Sequence, residues 1–193
     1  MSKSFEQQED VLSALKLTGR KLDWPGEVEI VIAGGAAGML LGIWAPDRVT
    51  EDCDIVDISP PIQPRRAVLQ AAREAAEDTG LSDDWLNDHF MTFGTLDTLP
   101  DGWRQRSVQI GVFAKLTVTS LGRQDLLAMK LYAGRSQDLQ DIYSGIDSLK
   151  VQDIAFMRSY LESLKSRWRK NIKSDQLQRA FVVLGDLAKE VRK

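Results

Sequence analysis

Cysteine and histidine are nearly missing from this chain: Cys53 and His89 each stand alone among 193 residues. A single cysteine excludes an internal disulfide, and one cysteine with one histidine cannot by themselves build a zinc site. No apolar stretch approaches the ~20 residues needed to cross a bilayer. The N-terminal MSKSFEQQED is polar and lacks a signal-peptide core, so a cytoplasmic protein without membrane contact is expected. The formal net charge is only -3, which excludes nucleic-acid binding by bulk charge, though not by a local basic patch. Internal repeats and low-complexity tracts are also lacking.

What is present suits a packed core. Hydrophobic residues make up 43% of the chain and charged residues 27%, with regular apolar patterning that argues against disorder. At this length one domain is the default, with room for an extension. We expect a core over residues 1–147 and a C-terminal helical extension over 148–193 packed on it.

The most informative stretch is residues 28–58, VEIVIAGGAAGMLLGIWAPDRVTEDCDIVDI. Val28 to Ala33 is short, apolar and rich in β-branched residues, which predicts a buried strand. Gly34-Gly35 allows a tight turn with bare backbone amides, and 36–43 reads as a short helix. Amides exposed at that corner favour an anion such as phosphate. Pro46 opens a loop carrying Arg48 and Thr50, and residues 53–58 read as a second strand. Asp52 and Asp54 then sit two residues apart with side chains on the same side. Aspartate is a poor strand former, and like charges so close on one face repel. The usual compensation is a bound cation with oxygen ligands, so the cleft between the glycines and this strand is the candidate site. Taken alone, each part has a plainer reading: a strand-to-helix turn, and polar positions on an edge strand.

Elsewhere, 4–19 reads as a helix with Ser4 as its cap, and 65–79 as a helix stopped by Gly80. Residues 94–103 read as loop, and 108–113 and 115–119 as two β segments or one bent strand. Helices follow at 121–133, 137–147 with Ser136 as cap, 151–165 and 174–191. A basic run, Lys165, Arg167, Arg169, Lys170 and Lys173 with Trp168 inside it, is either a solvated helix end or an RNA contact. Mixed strands and helices followed by helices alone predict an α+β fold with a helical C-terminal part.

A strand ending in Gly34-Gly35, a short helix, then Arg48-x-Thr50-x-Asp52-x-Asp54 resembles the nucleotidyltransferase superfamily, the polymerase-beta-like fold. Further on, MKLYAGRSQDLQDI, with Lys130, Arg135, Asp138 and Asp141, resembles a second block of a bacterial branch. That branch contains abortive-infection and toxin–antitoxin nucleotidyltransferases, and the stretch around Trp85-Leu86-Asn87 is similar to it as well. The two blocks in this order, about 75 residues apart, are more specific than either alone.

The resemblance implies a mixed β-sheet core flanked by helices. It implies a glycine turn (Gly34, Gly35) holding the triphosphate of an NTP, with Arg48, Thr50, Lys130 and Arg135 around it. Asp52 and Asp54 would hold Mg²⁺. Lys130 would contact phosphate, and Asp138 or Asp141 would hold Lys130, Arg135 or the acceptor in place. The acceptor would be an RNA (tRNA) or protein hydroxyl, and an antitoxin protein would be the partner.

Two departures stand out. Many relatives have Gly-Ser where this chain has Gly34-Gly35. Polymerase-type members carry a third carboxylate on a later strand, whereas 107–113 and 115–119 contain no acid. The alternatives are therefore an active enzyme assisted by Asp138 or Asp141, and a non-catalytic module that binds a nucleotide or a partner protein.

Overall fold

The computed structural model describes residues 2–61, 63–92, 95–166 and 172–191. Its centre is a mixed sheet built from β1 (Val28–Ala33), β2 (Cys53–Ser59), β3 (Leu86–Asn87), β4 (Val108–Phe113) and β5 (Leu116–Ser120), in the spatial order β3-β2-β1-β5-β4. β1 runs antiparallel to β2 and parallel to β5, β2 is parallel to β3, and β4 and β5 form a hairpin. The helices are α1 (Gln8–Lys21), α2 (Gly34–Leu40), α3 (Arg65–Thr79), α4 (His89–Thr92), α5 (Trp103–Arg106), α6 (Arg123–Ala133), α7 (Ser136–Ser144), α8 (Val151–Ser166) and α9 (Ser174–Glu190). This is the α+β architecture with helices flanking a mixed sheet and a helical C-terminal part.

The core follows from the apolar patterning. Ile30, Ile32, Ile55, Ile58, Leu116 and Val118 are buried on the sheet. On α3, Val68, Ala71, Ala72, Ala75 and Ala76 form the buried stripe and Gly80 ends the helix in the left-handed region, with φ 77°. α1 packs on α3, and it also presses onto the β4–β5 hairpin. A Cβ at Gly19 would lie 2.1 Å from the Phe113 carbonyl oxygen. α6, α8 and α9 pack on one another, and α6 also touches α2.

β2 carries a bulge. Val31 pairs with Asp57 and Ile32 with Ile55, leaving Val56 unpaired between them.

Several expected boundaries move. Ser4 does not cap α1. Gln7 occupies that position, where Asp10 accepts the Gln7 backbone N–H at 3.0 Å, because the chain ahead of it is drawn into bridges from Lys3 to Leu81 and from Phe5 to Thr50. The glycines do not precede the first short helix but begin it, and it ends at Leu40. Residues 94–103 are not all loop, since a 3-10 turn spans Thr95–Thr98 and α5 begins at Trp103. The two β segments are separate strands turning through Ala114, whose φ is 54°. Ser136 is the first residue of α7 rather than its cap. Arg135 holds the cap position, its backbone N–H donating to Asp138 at 3.3 Å. Asp52 stands just before β2 and is exposed, because strand pairing begins at Cys53 with Leu86.

Candidate nucleotide site

β1 and β2 bring the glycines and the acidic pair together. Ala33 pairs with Asp54, so Gly34 lies against the Asp54 carboxylate. A Cβ on Gly34 would sit 2.5 Å from Asp54 Oδ2, and Gly34 has φ 78°, a region glycine occupies without steric cost. Gly35 is equally confined. A Cβ there would lie 2.6 Å from Thr50 Oγ1 and 3.1 Å from Arg48 Nη2. Thr50 Oγ1 in turn reaches Asp52, whose carbonyl oxygen and Oδ1 both accept at 3.4 Å. Glycine is needed at Gly34 because of its left-handed backbone and the Asp54 carboxylate against it, and at Gly35 because the loop bearing Arg48 and Thr50 lies directly on the α2 backbone.

The second sequence block supplies a row of alternating charges. Arg48 Nε donates to Asp141 Oδ1 at 2.6 Å, and Lys130 Nζ donates to Asp138 Oδ1 at 2.9 Å. Lys130 Nζ also lies 2.6 Å from Asp141 Oδ2, as an ion pair off the hydrogen-bonding axis, and Arg135 Nε donates to Asp138 Oδ2 at 2.7 Å. Gln137 Nε2 adds a bond to Asp141 Oδ1 at 3.1 Å. Lys130, Asp138 and Asp141 are buried, whereas Arg135 is largely exposed. Buried charges are tolerable only when paired in this way. Burial works against ionisation of Asp138, but the bonds from Arg135 and the charge of Lys130 outweigh it and hold its carboxyl below the ordinary value.

The two halves face each other electrostatically. Burial first, then the charge of Asp52, pushes the Asp54 carboxyl up to about 6, against the opposing influence of Arg135, a side-chain hydrogen bond with Asn87 and the charge of His89. Asp52 and Asp54 also reinforce the positive charge of Arg135, after Asp138. Cys53, between the two aspartates, is fully buried, and burial keeps its thiol protonated.

Among the described residues, no three His, Cys, Asp or Glu side chains converge as a metal cluster. The acidic pair fits Mg²⁺ nonetheless, since this ion commonly takes one or two carboxylates and completes its shell with phosphate and water. Asp54, ionised only against burial and a like charge, would be relieved by a cation. Zinc or calcium would need more protein ligands than the cleft offers.

All ten candidate residues (Gly34, Gly35, Arg48, Thr50, Asp52, Asp54, Lys130, Arg135, Asp138 and Asp141) fall in this one region. Lys130 sits deepest, between its two acids, and Arg135 is the cation that faces outward. Two neighbours carried no individual signal in the sequence. Trp44 donates its indole N–H to the Gly35 carbonyl at 3.1 Å and lies under Lys130. Asn87 pairs with Asp54 across β2 and β3 and accepts the His89 backbone N–H at 3.1 Å. Its place in the Trp85-Leu86-Asn87 stretch was the only hint. Of the basic run, Arg167, Trp168, Arg169 and Lys170 lie outside the described residues.

A family model described as a nucleotidyltransferase of unknown function (DUF6036) matches residues 11–184. The chain belongs to that family. The match spans both sequence blocks and continues through α8 into α9, and it supports the nucleotidyltransferase superfamily that the Gly34–Asp54 block resembles. No curated protein and no solved structure gives a significant match. No helix among the described residues is long and apolar enough to cross a membrane.

Proposed function

We propose that this chain is an Mg²⁺-dependent enzyme that transfers a nucleotidyl group from an NTP to a hydroxyl of an RNA, such as a tRNA, or of a protein. The observation that carries the reading is the placement of Asp54 against Gly34. A carboxylate raised by burial and by Asp52 abuts a backbone corner with no side chain to fill it. That arrangement suits a metal-bound triphosphate. Asp52 and Asp54 would hold Mg²⁺, which when bound supplies neutralisation of the charge on the phosphates and on the departing pyrophosphate.

The chain's own residues would do the rest. Gly34 and Gly35 let the phosphates approach the backbone. Arg135 reaches them from the open side, with Arg48 and Thr50 flanking Gly35. Lys130 contributes positive charge from beneath, and Asp138 and Asp141 fix the three cations in place. Transfer of this kind needs alignment and charge neutralisation more than a covalent protein nucleophile.

A cytoplasmic toxin controlled by an antitoxin protein is the biological setting we infer from the resemblance of the Lys130–Asp141 block. One observation favours a second reading, a non-catalytic nucleotide-binding module: β4 and β5 carry no acid to take the proton of an attacking hydroxyl.

The test is calorimetric titration of each NTP with Mg²⁺ and with EDTA, on the wild type and on Asp52→Ala/Asp54→Ala. Metal-dependent binding lost in the variant is expected. Binding indifferent to metal and variant, or no binding, would overturn the site. Labelled-nucleotide transfer to RNA or protein then separates enzyme from module. Growth arrest on expression that Asp52→Ala relieves would support the toxin setting.

A further inference from the structure

Trp44 is the residue through which the two halves of the cleft meet. It is 6% exposed. Its indole N–H donates to the Gly35 carbonyl at 3.1 Å, and its ring lies 5.2 Å from Lys130 Nζ. It packs so closely on α2 that a Cβ on Gly38 would fall 1.8 Å from Nε1. Gly38 is thus small so that the indole can reach back to the start of α2.

Each contact answers a specific need. The Gly34-Gly35 backbone has no side chain to lock it, and glycine is the freest residue. The Gly35 carbonyl and the Ala36 N–H belong to one planar peptide unit. Fixing the carbonyl with a rigid buried donor therefore fixes the direction of the next amide as well. On its other side the ring meets an ammonium already held by Asp138 and Asp141, and an indole face attracts a cation electrostatically. A phenylalanine would keep the second contact and lose the first. A leucine would lose both.

We propose that Trp44 is a positioning residue, which sets the glycine corner and Lys130 in fixed relation so that both meet one triphosphate. This rests on the reading of the cleft as a triphosphate site. It adds a preorganising element that the motif residues do not themselves supply.

The test uses the full chain and Mg²⁺ with tripolyphosphate, a probe that contains the phosphates but no base. Binding is compared in wild type, Trp44→Phe, Trp44→Leu and Val68→Ala. Val68 is a buried α3 residue and serves as a control for lost stability. Affinity should fall about tenfold in Trp44→Phe, the scale of one hydrogen bond, and further in Trp44→Leu. Val68→Ala should melt earlier with its affinity within about twofold of wild type. Equal affinity loss in Trp44→Phe and Val68→Ala would overturn the proposal.

A second measurement needs no ligand. The residual dipolar coupling of the Ala36 N–H, which reports the direction of that bond, should change in Trp44→Phe and stay the same in Val68→Ala. If the wild type binds neither tripolyphosphate nor any NTP, the triphosphate reading falls and the amide decides the rest. A changed Ala36 coupling would then support Trp44 as the residue that sets the glycine corner, and an unchanged one would overturn it.

Discussion

Arg48 and Asp141 are 93 residues apart in sequence, yet the Arg48 guanidinium donates to the Asp141 carboxylate at 2.6 Å. That bond ties the loop ahead of the acidic pair to α7, and Asp141 shares its other oxygen with Lys130. Asp141 therefore holds a cation from each sequence block.

Removing Asp141 should be costly. Asp141→Ala leaves Lys130 short of one partner and Arg48 without its 2.6 Å acceptor, and loss of one member of a buried pair typically costs about 3–5 kcal/mol. Urea unfolding is expected to show a loss of this order. A change under about 1 kcal/mol would mean that the pair is solvated and contributes as little as a surface bridge.

Asp54 should destabilise the metal-free protein near neutral pH. Its folded-state pKa of about 6 lies above the ordinary 3.8, so the folded state binds its proton more tightly than the unfolded chain does. The stabilisation from that proton is fully present below 3.8 and is lost as pH rises through about 6. Asp54→Asn, which cannot ionise, should therefore melt higher than wild type at pH 7.5, by an amount equivalent to about 3 kcal/mol. The gap should close toward pH 4. Thermal melts in EDTA across this range check it, and a gap independent of pH would refute the assignment.

The Asn87 side chain favours the ionised form of Asp54. Asn87→Ala should push the Asp54 carboxyl higher still and lower the apparent affinity for Mg²⁺ at pH 6 more than at pH 8. Carboxyl ¹³C shifts followed against pH give the first quantity directly, and an unmoved titration would remove Asn87 from the site.

The three left-handed glycines near the cleft separate backbone strain from crowding. Gly42, with φ 62°, has nothing within 4 Å of a Cβ position, whereas Gly34, with φ 78°, has the Asp54 carboxylate at 2.5 Å. Gly42→Ala should cost only the conformational term, about 1–2 kcal/mol. Gly34→Ala should cost more, and it should also lower Mg²⁺ affinity by displacing Asp54. Gly134, with φ 61° and only ordinary contacts to a Cβ, should behave like Gly42. Melting curves and metal titrations on the three variants decide the point.

Much of this was legible locally. β1, α3 with its Gly80 stop, α8 and α9 follow from apolar period and end signals, which are properties of neighbouring residues. The two sequence blocks also announced which charges to look for. The sequence could not announce what depends on distant partners. Ser4 looked like a cap because the pull of Leu81 and Thr50 on residues 3–5 is tertiary. The resemblance implies that Asp138 or Asp141 holds Lys130, and the fold pairs it with both at once and buries all three. Trp44 carries no signal of its own in the sequence, since its meaning lies in Gly35, nine residues back, and in Lys130, far ahead. Asn87 belongs to a two-residue strand, too short to leave a pattern.

The unpaired Val56 has a consequence out of proportion to its size. Alternation along a strand has a parity, and one extra residue inverts it for everything beyond. With the bulge, Asp54 shares the side of Ala33, and Ile55 joins Ile32 in the apolar interior. Iron the bulge flat and Asp54 would come opposite Gly34, on the oily side of the sheet, while Ile55 took its place beside Ala33. The chemistry of the cleft thus hangs on a count: one residue left without a partner keeps Asp54 and Asp57 on one side of the strand and Ile55 and Ile58 on the other.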